Sequence, residues 1–133
     1  MSAKCITRQV SIKAPAAKVF AFLADAANWP KWAVVNVLSI AKADGDWWTM
    51  QTPAGPARLR LRPNSQLGIV DHDFHAGDAR WTVPARVVPN GDGSEFLITF
   101  FKPPTFTDEF FVAQLALVDK ELAKLKELME ATR

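Results

Sequence analysis

Residues 107–131 read TDEFFVAQLALVDKELAKLKELMEA, and the spacing within them decides the fold. Phe111, Leu115, Val118, Leu122, Leu125 and Met129 recur at alternating steps of four and three, which puts them on one side of a helix. Glu109, Asp119, Lys120, Lys124 and Glu127 fall largely off that stripe. Thr107 is placed to cap the helix, and Asp108 and Glu109 occupy its first turn, where the dipole favours negative charge. Pro103 and Pro104 block an earlier start. The helix would run roughly 36 Å. An apolar stripe of that length requires a broad partner surface, and the preceding chain offers a series of short strands.

Those strands alternate with turn signals. Residues 5–12 (CITRQVSI) place Ile6, Val10 and Ile12 on one face and Thr7, Gln9 and Ser11 on the other, with Arg8 on the apolar side. Pro15 suits the first turn of a helix carrying Val19, Phe20 and Leu23, and DAANWPKW reads as a turn or a second short helix. Strands are then expected at 34–41, 47–52, 57–62, 69–75, 80–88 and 95–101. The Pro-Asn-Gly-Asp-Gly run at 89–93 is the strongest hairpin signal. The connections are too short for parallel crossovers, so these six strands should form an antiparallel meander, with the first strand pairing at one end. The fold class is α+β: a curved seven-stranded antiparallel sheet around a long C-terminal helix, with two short helices between strands 1 and 2. A single helix cannot fill such a concavity, so a pocket is expected between helix and sheet.

This order, with VSIKAPAAKVFAFLADAANWPKW (10–32), GIVDHDF (68–74), RVVPNGDGSEFLITFFKPP (86–104) and FTDEFFVAQLALVDKELAKLKELM (106–129), resembles the START and birch-pollen-allergen (SRPBCC) superfamily. Its polyketide cyclase/dehydrase-like branch is the most similar. The resemblance implies a helix-grip fold and a cavity for an apolar or amphipathic molecule, and leaves the reaction, if any, open.

Candidate polar residues are few. In the strand 69–75, Asp71, Asp73 and His75 share one face, and Val70, His72 and Phe74 the other. Successive residues on one face lie about 7 Å apart, too far for one metal ion to gather all three acidic-face groups, so that face is expected to be solvated and no metal is expected. If Val70 and Phe74 face the cavity, His72 does too, and could hydrogen-bond a ligand or carry a proton. The competing reading is a histidine satisfied by neighbouring backbone or carboxylate. Arg8 is either an anchor for an acidic ligand group or a side chain that snorkels outward. Trp81, Phe74, Met50, Leu61, Phe111 and Leu115 are the expected apolar lining. One of Trp47 and Trp48 must face outward, and Trp48 is the expected candidate for a partner surface. Arg58, Arg60 and Arg62 make a basic stripe without stacking aromatics, read as a solvated face.

The 133 residues carry 49% hydrophobic content and a formal charge of +2, fitting one domain over 1–133 and no nucleic-acid partner. The single Cys5 excludes an internal disulfide and is expected to be buried. No signal-peptide core or membrane-length apolar run occurs, so a cytoplasmic protein without integral membrane association is expected. No phosphate loop, HExxH or GxSxG motif is present, no catalytic residue is assigned and no cofactor is implied. The expected partner is a small hydrophobic molecule (a lipid, isoprenoid or polyketide-like compound), and a homodimer is left open. A binding or transport role is favoured over the alternative, a cyclase or dehydratase using His72 as proton shuttle.

Overall fold

The computed structural model describes residues 3–131. Strand β1 (Cys5–Ile12) is followed by α1 (Ala16–Leu23), a 3-10 turn at Ala26–Asn28 and the single-turn α2 (Trp29–Trp32). Seven further strands follow: β2 (Ser39–Lys42), β3 (Trp47–Thr52), β4 (Gly55–Asn64), β5 (Ile69–Ala76), β6 (Ala79–Val83), β7 (Ala85–Asn90) and β8 (Gly93–Phe101). The long α3 (Asp108–Ala131) ends the described chain. All pairs are antiparallel, in the order β1-β8-β7-β5-β4-β3-β2, with β6 on β5. The architecture is the expected curved sheet around a long helix.

Two strands differ from the pattern read in the sequence, each for a hydrogen-bonding reason. The expected strand 80–88 is divided at Pro84, which has no N–H to give to a ladder. Its carbonyl still accepts from Thr99 N–H at 2.9 Å, and the next N–H, of Ala85, turns to Asp71 Oδ1 at 2.9 Å. The break lets β6 stay on β5 while β7 moves across to β8. The expected strand 34–41 survives only as β2, because residues 34–36 form turns. The N–H groups of Val35 and Asn36 go to the Glu121 carboxylate instead of a neighbouring strand.

All six stripe residues of α3 are buried, and Thr107 Oγ1 caps the helix by accepting from Phe110 N–H at 3.0 Å. Beyond Glu121 the helix is packed solidly: Leu122, Leu125 and Met129 join Val19 and Leu23 of α1 and the sheet's inner side chains in one core. Cys5, expected inside, is exposed, since it lies on the outward phase of β1.

The β5–β7 approach depends on a residue without a side chain. Gly68 has φ +67°, its carbonyl accepts from Val87 N–H at 2.8 Å, and a Cβ there would collide with the Val87 carbonyl oxygen. Gly77 has a similar φ of +60° but open space around it. Gly77→Ala should therefore cost about 1–2 kcal/mol, the strain of the left-handed backbone alone, and Gly68→Ala clearly more. Urea unfolding of both variants checks this, and equal losses would contradict the close-approach account.

Candidate functional site

Between the N-terminal half of α3 and the sheet lies a cavity of about 220 Å³. The sheet contributes Met50 from β3, His72 and Phe74 from β5, Trp81 and Val83 from β6, and Ile98 and Phe100 from β8. Helix α3 contributes Phe111, Gln114, Leu115, Val118 and Glu121. Trp29 and Trp32 of α2, with Ala33, Asn36 and Val37 just after it, close another side. The wall reaches the surface at Phe101, which is 45% exposed, beside Pro103 and Phe106. Its character is apolar and aromatic, and no Lys or Arg lines it.

The aromatic groups are locked edge to face. Trp29 meets Trp32 at 5.0 Å between ring centroids and His72 at 4.8 Å. Phe74 and Trp81, opposite each other in the β5–β6 ladder, meet at 5.2 Å. Such T-shaped contacts suit the ring quadrupoles and hold the side chains in fixed orientations. Trp29 Nε1–H donates to Leu23 O at 2.9 Å. Trp32 Nε1 is buried and has no hydrogen-bond partner among the described residues.

His72 is 5% exposed. Its Nδ1 lies 3.1 Å from Val70 O. A carbonyl only accepts, so Nδ1 carries the proton and Nε2 is left with a lone pair. Burial lowers its pKa from 6.5 to about 4, outweighing the Val70 hydrogen bond and the Asp71 and Asp73 charges. Near neutral pH the ring is therefore uncharged. One nitrogen is satisfied by backbone, as the second reading of the sequence has it, and the ring lines the cavity.

Glu121 is 4% exposed and accepts from Val35 N–H at 3.1 Å, Asn36 N–H at 2.9 Å and Asn36 Nδ2 at 3.0 Å. Burial raises its pKa, and these hydrogen bonds oppose the rise. It went unremarked in the sequence, although the signal was there. Glu121 lies three residues after Val118 and four before Leu125, so it sits on the apolar stripe itself.

A profile of the family described as polyketide cyclase / dehydrase and lipid transport matches residues 3–130. The chain belongs to that family. No curated protein sequence matches it. Among solved structures, this family member resembles a START superfamily protein from Mycobacterium smegmatis, at TM-score 0.68 and 13% identity, over 93% of this chain and 97% of that one. It resembles the allergen Ara h 8.0201 at TM-score 0.72 and 11% identity, covering 98% and 100%. It also resembles the di-domain ARO/CYC BexL from the BE-7585A biosynthetic pathway, at TM-score 0.72 and 16% identity, over 93% of this chain and 45% of that one. At these identities the likeness shows a shared fold.

Of the residues singled out in this family member's sequence, His72, Trp81, Phe74, Met50, Phe111 and Leu115 lie on the cavity wall. Two do not. Arg8 is on the inner face of β1 as expected, but its Nε lies 3.2 Å from Asp119 Oδ1 of α3, at the partly exposed sheet edge. The pair ties helix to strand and does not reach the cavity. Leu61 packs against the core beside its ladder partner His72. Strand alternation gives the face a side chain occupies, not its position along the hollow.

The outer face also departs from expectation. Asp73 is 7% exposed rather than solvated. Arg60 Nε and Nη2 donate to it at 3.0 and 2.7 Å, Arg62 Nη2 at 3.1 Å and Thr82 Oγ1 at 2.9 Å. Burial pushes its carboxyl up, but the hydrogen bonds from Arg60 and Thr82 and the Arg62 charge hold it below its ordinary value. The arginine stripe does have a stacking aromatic, since Arg58 and Arg60 lie over Trp47 at 4.7 and 4.8 Å. Trp47 is thus the outward member of the pair, and Trp48 packs against the core. No group of three or more His, Cys, Asp or Glu suited to a metal occurs among the described residues. No helix is long and apolar enough to cross a membrane.

The two buried titratable groups generate two predictions. Folded His72 takes a proton only near pH 4, whereas the unfolded chain takes it near 6.5. Its contribution to stability is full above about pH 6.5 and falls as pH drops toward 4, by on the order of 3 kcal/mol. Glu121, with its raised pKa, acts in the opposite sense, and Asp73 in the same sense as His72. Comparing wild type with His72→Gln at pH 7 and 5 isolates the His72 part: the wild type should lose more on acidification. Separately, Glu121→Ala strands the Val35 and Asn36 N–H groups and should cost about 1–3 kcal/mol. Amide exchange at residues 35 and 36 should accelerate more than exchange in β8.

Proposed function

We propose that the chain binds and carries a small apolar or amphipathic molecule in this cavity. The observation that carries the reading is the hollow itself, with apolar and aromatic walls and a few polar groups. Ligand sites elsewhere have this make-up. His72, Trp81, Phe74, Met50, Phe111 and Leu115 would contact the ligand. Burial of apolar ligand surface would drive binding at about 25 cal/mol per Å², before the costs of association. A cavity of about 150 Å³ accepts a benzene-sized guest, so 220 Å³ suits a frame of about two rings or a short isoprenoid. A longer acyl chain or polycycle would extend past Phe101 and Phe106.

A second reading, a cyclase- or dehydratase-type enzyme, gains one observation: Glu121 places a carboxylate in the same wall as His72. Two others weigh against it. A base with a pKa of about 4 has little drive to take a proton near neutral pH, and the Glu121 oxygens are occupied by three donors of the 33–37 turn.

Mass spectrometry of extracts from protein purified under native conditions should identify a co-purifying small molecule. Titration of that molecule should show binding without turnover, weakened several-fold in His72→Ala. Product formation that disappears in His72→Ala would instead establish the enzyme reading. Absence of any guest, together with no binding across a panel of apolar compounds, would defeat both.

A further inference from the structure

The cavity wall carries one buried donor with no acceptor, Trp32 Nε1–H, and one imidazole nitrogen, His72 Nε2, left with its lone pair. Trp32 is 2% exposed, and its Nε1–H has no partner, whereas the neighbouring Trp29 has Leu23 O at 2.9 Å. An indole nitrogen only donates, and leaving it buried and unpaired is destabilising. His72, with Nδ1–H held by Val70 O, keeps the Nε2 lone pair. The two rings flank Trp29, at 5.0 and 4.8 Å from its centroid, so one compact guest lying along that indole would meet both.

The charge balance of the wall is as informative. None of its residues is a Lys or Arg; Arg8 is paired with Asp119 away from the cavity, and Lys102, between the wall residues Phe101 and Pro103, is paired with Asp108. The one ionisable acid in the wall is Glu121. A carboxylate guest would lose its hydration, find no counter-charge and face a second acid.

We propose that Trp32 Nε1–H and His72 Nε2 form a donor–acceptor pair selecting a neutral guest of about two rings that carries both a carbonyl-type oxygen and a hydroxyl, and that the cavity rejects carboxylic acids. Trp32 receives the carbonyl oxygen, and His72 accepts from the hydroxyl. This deepens the binding reading and rests on the cavity being a ligand site.

A matched series on one bicyclic frame separates the two ideas. Tetralin offers the frame alone, 1-tetralone adds an acceptor, 5,6,7,8-tetrahydro-2-naphthol adds a donor, and 5,6,7,8-tetrahydro-2-naphthoate adds a carboxylate. In calorimetric titrations at pH 7.5, the ketone and the alcohol should each bind roughly threefold to tenfold tighter than tetralin. Measured against tetralin binding to the same variant, the ketone's advantage should vanish in Trp32→Phe and the alcohol's in His72→Leu. The naphthoate should bind at least about tenfold weaker than the ketone. Nitrogen-15 spectra of the wild type supply a readout independent of variant folding. Of the five tryptophan indole signals, that of Trp32 should move downfield with 1-tetralone and not with tetralin. A ketone that binds no better than tetralin, an advantage that survives Trp32→Phe, or a naphthoate as tight as the ketone overturns this proposal and leaves the cavity reading standing. Failure of tetralin and of every other member to bind overturns the cavity reading and this proposal with it.

Discussion

A buried carboxylate holds the two halves of this molecule in register. Glu121 projects from the side of α3 that also carries Val118, Leu122 and Leu125, and it receives three hydrogen bonds from Val35 and Asn36. Residues 34–36 are turns, so their N–H groups have no sheet ladder to join. Without the carboxylate, those half-buried donors would lose their partner. The same turn follows directly on α2, whose Trp29 and Trp32 form part of the cavity wall. A single acid on α3 thus sets where the aromatic cover rests relative to the sheet. Burial disfavours its ionised form, and the three donors offset part of that cost, as expected for a charge removed from water and surrounded by hydrogen bonds.

The helix is used differently along its length. Leu122, Leu125 and Met129 of its C-terminal half belong to the same buried core as α1 and the inner sheet. Its N-terminal half presents Phe111, Leu115 and Val118 to a hollow. These three are as deeply buried as the others, so burial alone does not separate packing from lining. A rod laid on a curled sheet can match its curvature over only part of its length, and the turns of the rod beyond that point stand off from the strands. Trp29, Trp32 and Trp81 occupy much of the gap and leave the rest open.

The architecture was legible in the sequence because it rests on period. The 3.6-residue stripe of 107–131 and the two-residue alternation of the strands survive into the structure with their faces intact, Trp81, Val83 and Ala85 inside and Arg80, Thr82 and Arg86 outside. What period cannot carry is where a hydrogen bond goes when it leaves the ladder. The break at Pro84 and the turn at 34–36 escape the pattern for that reason, and Glu121, a charged residue on an apolar stripe, shows its role only once its donors are placed. Arg8 and Leu61 show the other boundary. Both occupy the inward face that alternation assigns them, yet neither reaches the cavity, because distance along a curled sheet is a tertiary quantity. The outer face was misread in the same way: Asp73, Arg60 and Thr82 lie in one cross-strand row, and the row, not the strand, decides that the acid is covered.

The hollow has a thermodynamic consequence that bears on its purpose. At roughly 24 cal/mol per Å³, a dry void of 220 Å³ forfeits on the order of 5 kcal/mol, a large share of what usually holds a domain of this size together. Water entering past Phe101 would reduce that loss, but the walls offer it little to bond. The unpaired indole N–H of Trp32 adds to the deficit. Larger side chains at Val83 or Ile98 would take up part of the space, and the sequence does not use them. A guest that fills the space recovers lost packing contacts and, if it carries the right oxygen, the missing hydrogen bond. Any such guest, at free concentration L, stabilises the folded chain by RT ln(1 + L/Kd), so stability and occupancy are coupled through the same residues. His72 fits that scheme better as a neutral acceptor than as a proton carrier, because the burial that shapes the cavity is what drives its pKa away from neutrality.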